Sequence, residues 1–170
     1  MNSKLDYKDI QLPVVTDDGV FMAHYSERGL SGLDFPDARN SKKVGEAKVP
    51  DKVRSWHRQT SAAVKNALSG RAPTDLPPLG LSCGTEFQLS VWTSLLKIKL
   101  GRTLSYGEIA KSIKKPKAVR AVGGACGANP IPLLVPCHRV LAANGKIGGF
   151  SGGLGWKQKL LASEGVSVAG

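Results

Sequence analysis

Two short runs of β-branched and aromatic residues, Val14–Thr16 and Val20–Ser26, flank Asp17-Asp18-Gly19. Acidic residues followed by glycine between such runs predict a β-hairpin. Residues 30–35, LSGLDF, follow Arg28-Gly29 and predict a third strand, giving a short antiparallel meander. Residues 36–50 are polar and charged and predict a loop. The period then changes. Val53, Trp56, Thr60, Val64 and Leu68 recur at steps of three and four, which predicts an amphipathic helix ending at Gly70. Residues 71–84 hold Pro73, Pro77 and Pro78 and predict an extended connection between two modules, 1–82 and 83–170.

The second module is helical. Thr85 with Gln88 makes a capping-box pattern ahead of Phe87, Val91, Trp92 and Leu95, and Gly101 stops that helix. Ser105 with Glu108 repeats the pattern before Tyr106, Ile109, Ala110 and Ile113. Lys114-Lys115-Pro116 then leads into KAVRAVGGACG, residues 117–127, a helix faced with Ala118, Ala121, Gly123, Gly124 and Ala125. Helix, tight turn and small-faced helix form a helix-turn-helix pattern. Each glycine weakens a helix by about 1 kcal/mol relative to alanine. Their use here predicts close approach of another surface.

Charge sharpens that reading. The 170-residue chain carries +11, unevenly. Residues 1–80 hold 12 Lys/Arg and 10 Asp/Glu, whereas residues 81–170 hold 12 Lys/Arg and only Glu86, Glu108 and Glu164. Such asymmetry favours a polyanionic partner. The start of the chain has no apolar segment of the signal-peptide kind, and no apolar run is long enough to span a bilayer. The expected class is therefore soluble and intracellular, with no membrane partner. Three cysteines, Cys83, Cys126 and Cys137, show no C-x-x-C spacing, which argues against a disulfide framework and a structural zinc site.

Candidate chemistry centres on PCHRV, residues 136–140, after the apolar run Ile131-Pro132-Leu133-Leu134-Val135. A thiol beside a base is one reading, and a buried packing cysteine is the other. The segment from Gly84 to Gly165 resembles the O6-alkylguanine-DNA alkyltransferases, and RAVG, NPIPLLVPCHRV, GGFSGG and the late EG carry the likeness. The resemblance implies an α+β fold. A small ribonuclease-H-like N-terminal domain, with a three-stranded antiparallel sheet and a helix, precedes a helical, winged-helix-like domain bearing the helix-turn-helix. Alkyltransferase-like proteins, which replace the motif cysteine, are set apart by the presence of Cys137.

The resemblance also implies roles. Cys137 is the alkyl acceptor. His138 takes the thiol proton through a water, and Glu164 orients His138. Asn129, extended because Pro130 follows it, is the hinge between the second helix and the acceptor loop. Arg120 fills the base stack after the target nucleotide is extruded, as chemistry on a base requires. Tyr106 crowds the 3′ phosphate and gives a proton to N3 of guanine. The Val140 and Cys137 carbonyls accept the exocyclic amine, and Ser151 binds O6. Phe150, Pro132, Gly148 and Lys157 complete the pocket. Lys114, Lys115, Lys117, Ala121 and Gly123 join Arg120 at the DNA.

Full ionisation of an ordinary thiol would gain about 2 kcal/mol at neutral pH, whereas in-line positioning can supply about 7–11 kcal/mol. Geometry is therefore expected to matter more than acidity. Several positions depart from the common family pattern: Phe150 for tyrosine, Lys114 for the turn glycine, Lys99 for proline, and Gly127 for a basic residue. His24 and His57 lack the cysteines of an N-terminal zinc site, so no metal is expected. The expected activity is that of a methylated-DNA--protein-cysteine S-methyltransferase. Alkyl transfer from O6-alkylguanine, with O4-alkylthymine as a second candidate substrate, would be stoichiometric, irreversible and free of cofactors. The expected partner is double-stranded DNA containing the lesion, and the expected state is a cytoplasmic monomer (nuclear in a eukaryote). Alternatives are a non-catalytic sensor of alkylated DNA, a helix-turn-helix regulator and a thiol hydrolase using Cys137 and His138.

Overall fold

The computed structural model describes residues 10–37, 48–150 and 152–168. Strands β1 (Gln11–Thr16), β2 (Gly19–Ser26) and β3 (Gly29–Asp34) form an antiparallel sheet in chain order. Thr16 pairs with Gly19 around the Asp17-Asp18 turn, as the hairpin signal predicts. Strand β1 starts earlier than the apolar run, because Pro13 is tolerated on an edge strand. Its carbonyl instead accepts from His57 Nε2 at 3.0 Å. The predicted loop 36–50 falls mostly on residues 38–47, which lie outside the described residues.

Helix α1 (Asp51–Leu68) lays Val53, Trp56, Thr60 and Val64 toward the sheet. Thr60 is buried and accepts from Tyr25 of β2 at 3.0 Å. The helix closes with paired bonds, Gly70 N–H to the Ala67 carbonyl and Arg71 N–H to the Asn66 carbonyl. This closure needs a left-handed residue, and Gly70 has φ +71°. A Cβ at Gly70 would also collide with the carbonyl oxygen of Ser163. Gly70→Ala is therefore expected to lower the unfolding free energy by at least ~2 kcal/mol, read as a lower urea midpoint at unchanged slope.

The proline-rich connection runs along β3 rather than away from it. Leu30 N–H donates to Pro78 O at 2.8 Å, and Gly80 N–H returns to Leu30 O at 2.7 Å. Helix α2 (Glu86–Leu95) and helix α3 (Tyr106–Ser112) both carry the predicted capping boxes, with every expected bond formed. Helix α4 (Val119–Gly127) begins two residues later than predicted, with Ala118 at its N-cap and no side-chain cap bond. Trp92 of α2 donates from its indole to Ala125 O of α4 at 2.9 Å, which fixes the second helix of the helix-turn-helix against α2.

Two short strands, β4 (Leu104–Ser105) and β5 (Val140–Leu141), pair in parallel beside the helix-turn-helix. Helix α5 (Leu154–Ser163) closes the fold. The core is continuous across both parts, running from Phe21, Tyr25 and Val64 to Trp92, Val122, Val135 and Leu160. No described helix is long and apolar enough to cross a membrane.

Candidate active site and nucleic-acid interface

Cys137 opens a single 3-10 turn, Cys137–Arg139, directly before β5. The loop leading to it is held from behind. Asn129 is buried, donates from Nδ2 to Val135 O at 2.8 Å and accepts from Ile131 N–H at 3.0 Å. One side chain thus ties the end of α4 to the apolar run before the thiol. Within that run Leu133 has φ +78°, a left-handed conformation that costs a leucine about 1–3 kcal/mol. The strain sits four residues from the thiol.

The thiol faces a cavity of about 300 Å³ lined by Tyr106, Gly123, Cys126, Gly127, Cys137, Gly149 and Phe150. A Cβ at Gly123 or Gly127 would meet nothing within 4 Å, so these glycines leave the mouth open on the α4 side. Gly148, with φ +66°, lies against Tyr106: an added Cβ would sit 3.1 Å from the tyrosine hydroxyl. Pro132 is buried in the loop. Neither Pro132 nor Gly148 lines the cavity among the described residues, and Ser151 lies outside them.

Burial pushes the Cys137 pKa up, opposed by the Asn129 amide and the Lys157 ammonium. The resting residue is therefore a neutral thiol at neutral pH. Next to it, His138 is buried, with Nε2 2.9 Å from Glu164 Oε1. A carboxylate oxygen accepts, so Nε2 carries the proton and Nδ1 carries the lone pair. Nδ1 is buried and has no hydrogen-bond partner among the described residues. Burial lowers the His138 pKa; the Glu164 bond and charge pull it back up, and burial prevails.

Arg139, to which the sequence pattern assigns no role, completes this arrangement. Its Nε donates to both Glu164 oxygens at 3.0 and 3.2 Å, and Nη2 donates to Oε1 at 2.9 Å. Nη1 donates to Ile98 O at 2.7 Å. Burial alone would raise the Glu164 pKa, but the bonds and charges of His138 and Arg139 outweigh it and hold it at about 2. Burial, with a smaller contribution from the Arg139 charge, keeps His138 neutral, so Nδ1 holds a free lone pair. The only sequence signal for Arg139 was its place beside His138.

Lys157 is fully buried and donates to Val140 O at 2.7 Å and Gly149 O at 3.1 Å. It binds the acceptor strand to the glycine loop. The Val140 carbonyl keeps one lone pair. Its N–H already bonds the Cys137 carbonyl.

On the helix-turn-helix, Arg120 and Ala121 are exposed, Gly123 is half-buried, and Val122, Ala125 and Cys126 face inward. Arg120 has no protein partner among the described residues. Lys114 and Lys117 are exposed, and Lys115 stands 5.6 Å from the Phe87 ring centre. Lys114 takes the left-handed conformation expected of the turn position, with φ +62°. In the N-terminal part, His24 pairs with Asp34 at 2.7 Å and His57 with Tyr25 at 2.8 Å. No group of three or more potential metal-binding side chains occurs among the described residues.

Residues 86–166 match the family model described as 6-O-methylguanine DNA methyltransferase, DNA binding domain. A methylated-DNA--protein-cysteine methyltransferase of Methanosarcina mazei is 44% identical over 138 residues, covering 81% of this chain and 85% of that protein. One from Mycolicibacterium paratuberculosis is 58% identical over 81 residues, about half of each chain (48% and 49%). The crystal structure of Mycobacterium tuberculosis OGT in complex with DNA superposes with a TM-score of 0.68 at 33% identity, covering 89% of this chain and 90% of that one.

Proposed function

The chain belongs to the methylated-DNA--protein-cysteine methyltransferase family, and from that membership we propose that it repairs O6-alkylguanine in double-stranded DNA by moving the alkyl group onto Cys137. The observation that carries the assignment is a thiol facing an open cavity beside an imidazole with one nitrogen fixed by Glu164 and the other buried without a partner.

The reaction is a displacement at the alkyl carbon. The Sγ–C bond forms as the C–O6 bond breaks, and the thiol proton passes through a bridging water to His138 Nδ1. Burial raises the Tyr106 pKa, so its hydroxyl stays protonated and can give a proton to N3 of the leaving guanine. The His138 imidazolium then gives up the thiol proton and the Tyr106 phenolate takes one back through solvent. The net change is transfer of the alkyl group to sulfur and of one proton to guanine. The alkyl group moves intact, with no change of oxidation state, so the step calls for no cofactor. A thioether carbon is a poor electrophile, hence one lesion per chain. Catalysis here is mainly positioning: Asn129 and Lys157 hold the loop on either side of Cys137, and Phe150 walls the cavity. In this reading Ser151 binds O6, the free lone pair of Val140 O meets the exocyclic amine, and O4-alkylthymine is a second substrate. Pro132 and Gly148 support the walls from behind.

Residues 1–82 form the scaffold unit and 83–170 the reacting unit of a monomer working wherever the DNA is, in a prokaryotic cytoplasm or a eukaryotic nucleus. Arg120 enters the stack, the small face of Ala121 and Gly123 admits the groove edge, and Lys114, Lys115 and Lys117 meet phosphates. If roughly five phosphates are neutralised, log K falls with log salt at a slope of about −4.5. Arg120→Ala is expected to slow repair in duplex about tenfold more than reaction with a free O6-benzylguanine base, because it removes only the group that holds the base out. Equal loss on both substrates would contradict the role.

Mass spectrometry after incubation with a methylated-guanine duplex tests the whole reading. One methyl on the peptide containing Cys137, and no more, is the expected result. Repeated turnover would indicate a hydrolase. Binding without transfer would indicate a sensor, and preference for one undamaged sequence a regulator.

A further inference from the structure

The end of β3 reaches both sides of the acceptor. Leu33 N–H donates to Pro130 O at 2.9 Å, next to the Asn129 tie. Phe35, the residue after β3, stands edge-on to Phe150, with ring centres 5.5 Å apart at 80°. Phe150 in turn lines the cavity and stands edge-on to the His138 ring, 6.5 Å away at 78°. We propose that Phe35 is a positioning residue for alkyl transfer: through Phe150 it sets one wall of the cavity that the acceptor thiol faces. The proposal rests on Cys137 being the acceptor.

Phe35 is itself fixed. Its ring centre is 5.3 Å from that of Phe21 on β2 and 5.0 Å from that of Trp156 on α5. Phe21 and Trp156 also touch, edge-on, at 5.6 Å. Phe21, Phe35 and Trp156 thus form one cluster, and Phe35 is the member that meets Phe150 in the glycine-rich loop. A Cβ at Gly152 would lie 2.9 Å from both Phe35 Cδ2 and Phe150 Cε1, so the chain there fits only while the two rings keep this spacing. Phe150 replaces a tyrosine common in the family, so its position rests on ring contacts rather than on a phenolic hydrogen bond. The Lys157 bond to Gly149 O fixes the loop backbone, whereas the Phe150 ring is set by Phe35 on one side and His138 on the other. A misplacement of about 1 Å at such a wall can cost about a hundredfold in rate.

Full-length variants test this with two readouts, the single-turnover rate of methyl transfer from saturating methylated duplex and the dissociation constant for that duplex. Phe35→Ala is expected to slow transfer by about tenfold to a hundredfold, with the dissociation constant within about twofold because Arg120 and the helix-turn-helix are untouched. Phe35→Leu, which keeps bulk but not the ring edge, should fall between. The deciding measurement is a double-mutant cycle. If Phe35 acts through Phe150, the Phe35→Ala/Phe150→Ala chain is no slower than Phe150→Ala alone. Multiplied losses, or an unchanged rate in folded Phe35→Ala, would overturn the proposal. Should Phe35→Ala fail to fold, Gly152→Ala forces the same two rings apart, and an unchanged rate there overturns it equally. A wild-type chain that takes no methyl refutes the acceptor reading instead, which keeps the two failures distinct.

Discussion

Cys137→Ala leaves no methyl on the protein after exposure to a methylated-guanine duplex, while affinity for that duplex stays within about twofold. The first expectation follows from the bond that forms: without Sγ nothing in the cavity can accept a carbon. Cys126 lines the same cavity. Burial pushes its pKa up, so like Cys137 it is a neutral thiol, but it sits on α4, outside the loop that Asn129 and Lys157 hold around Cys137. Cys83 is exposed and distant from the tie at Asn129 in the chain. The second expectation follows from where affinity resides, in the cations and small residues of α3, α4 and their turn. Alanine also removes an atom from a cavity already open at its mouth, so the loop has little reason to move. Quantitative mass spectrometry and a gel-shift titration read the two halves. A methyl found on Cys126 or Cys83 in the Cys137→Ala chain would sink the acceptor assignment. Cys126→Ala and Cys83→Ala should still transfer.

How much of this was legible depends on the range of the interactions. Both capping boxes are satisfied within four residues, so Thr85/Gln88 and Ser105/Glu108 appear in the structure as the sequence spells them. The Gly70 stop is local in the same way. By contrast β4 and β5 are two residues each, too short for any period, and their pairing joins positions 36 residues apart. Leu133 at φ +78° has no sequence signal at all, since leucine is not a residue that marks left-handed backbone. Only the resemblance, which places a glycine there, marks Lys114 for left-handed backbone. Helix α4 starts two residues after the predicted position because Pro116 is followed by a turn before the helix begins. Arg139 was silent because its carboxylate partner lies 25 positions away, at the C-cap of α5. Glu164 itself, taken from the residues alone, reads as a surface residue near a helix end; its side chain is only 3% exposed.

Glu164→Gln should produce the largest loss of stability in the site. Glutamine keeps the shape and one acceptor oxygen but removes the charge that Arg139 and His138 both address. Arg139 would then hold a guanidinium, only 11% exposed, without its counter-charge. Breaking a buried pair in this way typically costs about 3–5 kcal/mol. Transfer should slow as well, by at least about tenfold, since the glutamine amide can equally donate to His138 Nε2 and so move the imidazole proton to the nitrogen that must act as base. The pH dependence separates a charge effect from a packing effect. In the folded chain the Glu164 pKa is about 2, below its ordinary value of 4.5. The unfolded chain therefore binds the proton first, and the stabilisation is complete above pH 4.5 and lost as the pH falls toward 2. That shift corresponds to about 3 kcal/mol. The imidazoles, His138 buried and His57 half-buried, act higher in the range. His138 and His57 both have lowered pKa values, so their contribution is complete above the ordinary histidine range and declines as the pH falls through it. Urea unfolding at a series of pH values should then show two acid losses in the wild-type chain. In Glu164→Gln the lower one should shrink by about 3 kcal/mol while a histidine step persists. An acid profile with its lower limb unchanged would mean that Glu164 does not carry its charge into the core, and that Arg139 is held by Ile98 alone.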